Sequence, residues 1–63
     1  MSKVWDDMTE QERYDTLQAM KVYGGGFAGR LAEAWQVADS WNSNRLAAAF
    51  PDLITKYSTG DWQ

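Results

Sequence analysis

Gly24-Gly25-Gly26-Phe27-Ala28-Gly29-Arg30-Leu31-Ala32-Glu33-Ala34-Trp35-Gln36-Val37-Ala38 is the stretch on which the fold turns. Phe27, Leu31, Ala34, Trp35 and Ala38 fall at i, i+4, i+7, i+8 and i+11, the spacing of one face of an α-helix. The three glycines before them are costly inside a helix but suit a left-handed C-cap and a reversal of the chain. The reading is therefore one helix ending before Gly24 and a second over 27–38. Gly29 interrupts the second helix at a cost of about 1 kcal/mol relative to Ala, which a close approach by another helix or chain would justify. Ala28, Gly29 and Ala32 are the candidate residues for such an approach, including self-association.

Towards the N-terminus, Thr9 and Glu12 stand three residues apart and make a capping box, so a helix is expected over 9–22. Asp6, Asp7 and Glu10 near its start favour the positive end of the helix dipole. Tyr14, Leu17 and Met20 recur at intervals of three and mark its apolar face. Towards the C-terminus, Asp39-Ser40-Trp41-Asn42-Ser43-Asn44 is rich in capping residues and breaks the chain into a third helix, placed over 42–50. Asp39, Ser40 and Asn42 all qualify as its start. Pro51 ends it, because the residue before a proline is pushed away from helical geometry, and also suits the first position of a short helix over 51–57. Residues 58–63 are expected to be a mobile tail.

The fold class is accordingly all-α: one compact three-helix domain with a short fourth helical segment, and connections short enough to make neighbouring helices antiparallel or steeply crossed. The expected core is Tyr14, Leu17, Met20, Phe27, Leu31, Trp35, Ala38, Leu46, Phe50, Leu53 and Ile54.

Composition narrows function by exclusion. A chain of 63 residues without Cys or His has no disulfide, thiolate nucleophile, zinc site of the usual ligands or imidazole acid–base chemistry. Nine acids against six bases give −3, which opposes general affinity for nucleic acid or anionic membrane. The excess is local: Asp6, Asp7, Glu10, Glu12 and Asp15 face only Lys3 and Arg13 in the first twenty residues. The longest apolar run, Leu46–Phe50, is far too short to span a membrane, so a cytoplasmic protein is expected.

Each chemical motif has a simpler structural explanation. The glycine run before a helix resembles a phosphate cradle, but Gly26 is followed by Phe27-Ala28-Gly29-Arg30 where a Walker loop needs Gly-Lys-Ser/Thr, and a hinge suffices. Asp6, Asp7 and Glu10 have oxygen ligands for a hard cation but no calcium-loop spacing, and their helix-start position accounts for them. Serines and threonines occupy cap and turn positions rather than an activated pair. No enzyme, cofactor or metal is expected. As a helix-turn-helix, the chain would present Asn42, Asn44 and Arg45 followed by alanines, few groups for reading a groove.

The four tryptophans carry more information. Trp35 belongs to the apolar stripe, whereas Trp5, Trp41 and Trp62 fall before the first helix, in a turn region and in the tail. Large aromatics at such positions either cover a thin core or anchor a partner. Trp5, Asp6, Asp7, Glu10, Trp41 and Trp62 are thus the candidate partner-binding residues, with acids steering encounter and aromatics anchoring it.

Gly25-Gly26-Phe27, Leu31-Ala32, Trp35, Ala38-Asp39, Asn42, Arg45-Leu46, Ala49-Phe50-Pro51-Asp52-Leu53 and Tyr57 together resemble a group of small accessory proteins of tailed bacteriophages and prophages. The resemblance spans roughly residues 23–57, with a familiar lead-in from Trp5 to Leu17. It implies action inside an infected bacterium and transfers no catalytic residue. The functional expectation is a non-enzymatic interaction module that binds and modulates a host or phage protein. Alternatives are a self-associating structural domain, an acidic nucleic-acid mimic and a DNA-binding helical domain.

Overall fold

The computed structural model describes residues 4–59. The chain is all-α, with no strand among the described residues: a 3-10 turn over Trp5–Asp7 precedes α1 (Glu10–Tyr23), α2 (Gly25–Gln36), α3 (Ser40–Ala49) and α4 (Pro51–Thr59). α1 packs chiefly on α2, and α4 lies against α1.

Each helix boundary has a local cause. The Thr9 hydroxyl accepts from the Glu12 N–H while the Glu12 carboxylate accepts from the Thr9 N–H at 2.8 Å, so the capping box closes as expected. At the other end the Gly24 N–H donates to the Met20 carbonyl, and Gly25 turns the chain at φ 74°. That left-handed residue beyond a helix is where glycine carries no steric penalty. α2 resumes at once, at Gly25 rather than Phe27, so Gly25 and Gly26 form its first turn. α3 is capped by the Asp39 carboxylate accepting from the Asn42 N–H at 2.8 Å, which starts the helix at Ser40 rather than 42. Phe50 leaves the helix at φ −130°, ψ 54°, and Pro51 opens α4. α4 continues through Ser58 and Thr59, two residues assigned to the tail by the sequence reading; the rest of that tail lies outside the described residues.

The core consists of Trp5, Met8, Leu17, Met20, Ala28, Ala32, Trp35, Ile54 and Tyr57. Leu17, Met20, Trp35 and Ile54 are common to the expected set. Leu31, Ala38, Leu46, Phe50 and Leu53 are only half-buried, and Tyr14 and Phe27 are exposed. The reason on α2 is rotational phase. Ala28, Ala32 and Trp35 face inward, so the buried arc is turned by about 100°, one residue, from the Phe27–Leu31–Ala34–Ala38 stripe. On α1 the inward seam is Arg13, Leu17 and Met20, with Tyr14 one residue off it. Thr16 is buried beside this seam and donates its hydroxyl to the Glu12 carbonyl at 2.8 Å.

Small residues set the crossing of α1 and α2. A methyl group added at Gly24 would meet the Met20 carbonyl and lie 2.7 Å from Ala28 Cβ. At Gly29 an added Cβ would meet the Lys21 carbonyl at an ordinary 3.5 Å, so the close approach depends on Gly24, Ala28 and Ala32 more than on Gly29. Gly26 opens to solvent with nothing nearby. Gly24→Ala is therefore expected to cost about 1–3 kcal/mol through overpacking, whereas Gly26→Ala gains up to about 1 kcal/mol of helix propensity. Thermal unfolding followed by circular dichroism checks both; equal shifts would contradict this geometry.

Candidate functional site

The aromatic residues separate into a buried set and an exposed set, and that division locates the candidate interface. Trp35 is 2% exposed, and its indole N–H donates to the Ser43 hydroxyl of α3 at 3.1 Å. The Trp5 ring lies 5.0 Å from the Trp35 ring, tilted by 40°. The Arg13 guanidinium covers the Trp5 ring at 4.8 Å and donates from Nε and Nη2 to the Trp5 carbonyl at 3.0 and 2.8 Å. Guanidinium, indole and indole thus form a stack that joins the N-terminal segment to α1, α2 and, through Ser43, α3.

This stack corrects the assignment of Trp5 to partner binding. Its side chain is buried and occupied by Arg13 and Trp35, so it covers the core. Its indole N–H is buried without a hydrogen-bond partner among the described residues. Sequence periodicity hid the arrangement because Arg13 interrupts what would otherwise be an apolar i, i+4, i+7 series with Leu17 and Met20. The available signal was a cation four residues before Leu17 on the same face, with a tryptophan upstream.

Asp6, Asp7 and Glu10 are exposed around the 3-10 turn and the start of α1. They do not form one array with the other acids. Glu12 is taken by the capping box, Asp15 accepts from Gln11 at 2.9 Å, and Glu10 and Glu12 are about 200° apart around α1. Among the described residues no group of three or more Asp, Glu, His or Cys is placed to hold a metal ion. Trp62 lies outside the described residues.

Ala28 and Ala32, proposed from sequence for self-association, are buried against the core, and Gly29 is half-buried beside α1. Ala28 and Ala32 are thus used within the chain and offer no surface to a second copy. The surface that remains lies on the other side of α2. Phe27 is 65% exposed and stands edge-to-face with half-buried Phe50 at 5.8 Å. Alongside runs an open groove of about 630 Å³ lined by Ala34, Ala38, Asn42, Arg45, Leu46 and Ala49. Trp41, placed in a turn by the sequence reading, is in the first turn of α3 and 72% exposed. It lies one turn before Arg45, which lines this groove.

No helix among the described residues is long and apolar enough to cross a membrane. Comparison with family models, curated proteins and solved structures finds no match for this chain.

The Arg13 contacts are expected to be structural and specific to guanidinium. Arg13→Met should lower stability by about 1.5–3 kcal/mol, the range for hydrogen bonds to a charged group. Arg13→Lys should recover only part of this, because an ammonium cannot lie flat on the indole while donating twice to one carbonyl. Urea unfolding monitored by tryptophan fluorescence decides the matter; full rescue by Lys would show that charge alone suffices.

Proposed function

We propose that the chain is a non-enzymatic protein-interaction module whose contact surface is the α2–α3 face. The observation that carries this reading is Trp41: a tryptophan 72% exposed on a well-capped helix, one turn before the groove-lining Arg45, in a domain whose other described tryptophans are both buried. Tryptophan gives a rigid apolar area with one hydrogen-bond donor, the profile of an interface anchor. Phe27 and Val37, 65% and 86% exposed, extend the apolar surface along α2 and the residue after it. Val4, Tyr14, Val22 and Tyr23 are exposed as well, on the N-terminal segment and α1, so the rigid tryptophan rather than apolar exposure alone singles out this face.

The partner class follows from the phage resemblance: a host or phage protein in the bacterial cytoplasm, which the module would modulate by occupying its surface. Asp6, Asp7 and Glu10, exposed around the 3-10 turn and the start of α1, would steer a basic partner. The spread of acids around α1 removes the phosphate-like array that nucleic-acid mimicry requires. α3 offers a DNA groove only Arg45 as a base, and its Nη1 is within 3.4 Å of the Asn42 side-chain oxygen.

Affinity capture from bacterial lysate with the folded chain, compared with Trp41→Ala, tests the proposal. The expected result is a partner recovered saturably by the natural sequence and at least about tenfold more weakly by the variant, with thermal stability unchanged. Recovery of the same proteins by both, or of none, would refute it.

A further inference from the structure

We infer that the cleft between α1 and the α2–α3 junction is a second binding site, one that takes an acidic segment of a partner protein in extended conformation. It goes beyond the contact surface proposed above and shares no lining residue with the groove there.

The cleft has a volume of about 480 Å³ and includes buried Leu17 and Trp35 in its lining. Arg13 and Lys21 line it and no carboxylate does, in a chain whose net charge is −3. Neither cation has an ion-pair partner among the described residues, whereas Arg30 nearby is paired with Glu33. Lys21 is exposed and Arg13 half-buried. A half-buried guanidinium without a counter-ion has lost hydration that an incoming carboxylate restores with charge-assisted hydrogen bonds. Arg13 uses Nε and Nη2 on the Trp5 carbonyl and leaves Nη1 without a partner among the described residues. Its planar group is fixed before a ligand arrives, so little side-chain entropy is lost on binding. Gln36 donates to the Gln18 side-chain oxygen at 2.8 Å, which leaves the Gln18 amide nitrogen as a further donor among the lining groups.

Spacing gives the form of the ligand. Arg13, Leu17 and Lys21 stand at i, i+4 and i+8 of α1, so the cations are about 12 Å apart along the helix axis with an apolar side chain midway. An extended chain advances about 3.3 Å per residue and turns alternate side chains to one side, so two acids four residues apart span about 13 Å on one face. The side chain midway between them meets Leu17 and the exposed ring of Tyr14. The matching segment is acid-x-apolar-x-acid. Open along its length, the cleft cannot surround a small molecule as a ligand pocket does, and suits a chain laid across the surface. Glu10 lies one turn before Arg13 on α1, outside the cleft, and opposes an acid at that end, so Lys21 is the stronger of the two points.

Titration of the isotope-labelled full chain with the blocked peptide Glu-Thr-Val-Thr-Glu, followed by NMR, tests the inference. The expected result is a saturable shift of the Trp35 indole N–H, whose acceptor Ser43 lines the cleft, with the Trp41 indole unmoved. Gln-Thr-Val-Thr-Gln should bind at least about tenfold more weakly. Because Arg13 also holds Trp5, Lys21 carries the mutational test. Lys21→Ala should weaken the acidic peptide about fivefold, the upper end for an exposed ion pair, and Lys21→Arg should restore it. Arg30→Gln removes the same charge outside the cleft and should leave the dissociation constant unchanged.

Absence of a saturable shift overturns the inference, as does equal binding of the two peptides or an equal effect of Lys21→Ala and Arg30→Gln. So do shifts centred on Trp41, which would place the peptide on the α2–α3 face. Acetate competing as strongly as the peptide would reduce the cleft to a simple anion site and overturn the peptide reading. A Trp41-dependent partner captured without any peptide binding removes this site and leaves the proposed function standing. Peptide binding at Trp35 without such a partner supports the site and removes the Trp41 surface.

Discussion

The stack of Arg13 on Trp5 on Trp35 is the contact on which the packing of this domain depends. Four short helices, none longer than 14 residues, are marginal as isolated helices in water and owe most of their stability to packing. Trp35 provides the common surface: it is nearly inaccessible, touches the folded-back Trp5 ring, and reaches α3 through Ser43. Arg13 then closes the outer side with its guanidinium, using the Trp5 carbonyl to hold the planar group in register. A domain of this size without disulfides can replace a thick core with large aromatic area, and here that area is stacked rather than dispersed.

A second constraint follows from the first. Seating Trp35 inward fixes the rotation of α2, and the same rotation buries Ala28 and Ala32, keeps Leu31 half-buried against the core and leaves Phe27 and Ala34 exposed. The helix therefore has apolar character over a wide arc, of which the chain itself uses only part. One part makes a close crossing with α1, helped by Gly24 at the junction. The other forms, with α3, a ridge of two phenylalanines beside a shallow alanine-lined groove. The position of this exposed apolar face is thus a consequence of how the interior is packed.

Charge follows the same economy. The acidic excess lies at the N-terminal end, where Glu12 closes the capping box of α1 and Asp6, Asp7 and Glu10 remain in solvent. Arg30 of α2 and Arg45 of α3 each have a polar neighbour within their own helix, Glu33 and Asn42. Trp5, which the sequence placed among Asp6 and Asp7 in a combined aromatic and acidic patch, is buried beside Arg13 and Trp35.

Local chemistry is legible in the chain itself. The helical segments, the Thr9 capping box, the left-handed turn in the glycine run and the stop at Pro51 depend on neighbours within a few residues and appear as the sequence reading expects, while Asp39 caps α3 out of the three starts that reading left open. Helix phase is not local. Phe27 and Ala28 are both apolar and differ by one step of about 100°; only the fit against α1 selects the smaller side chain for the interior. Arg13 could be recognised as a core-side residue only once Trp5 folded back beneath it. The candidate site inherits this limit: Trp41 could be singled out as an unassigned aromatic, but its exposure beside a groove was decided by the crossing of α2 and α3. Sequence therefore determined the elements and the chemistry of their caps, whereas tertiary packing decided which face of each is buried and which is left exposed, because burial is settled by steric fit between segments distant in the chain.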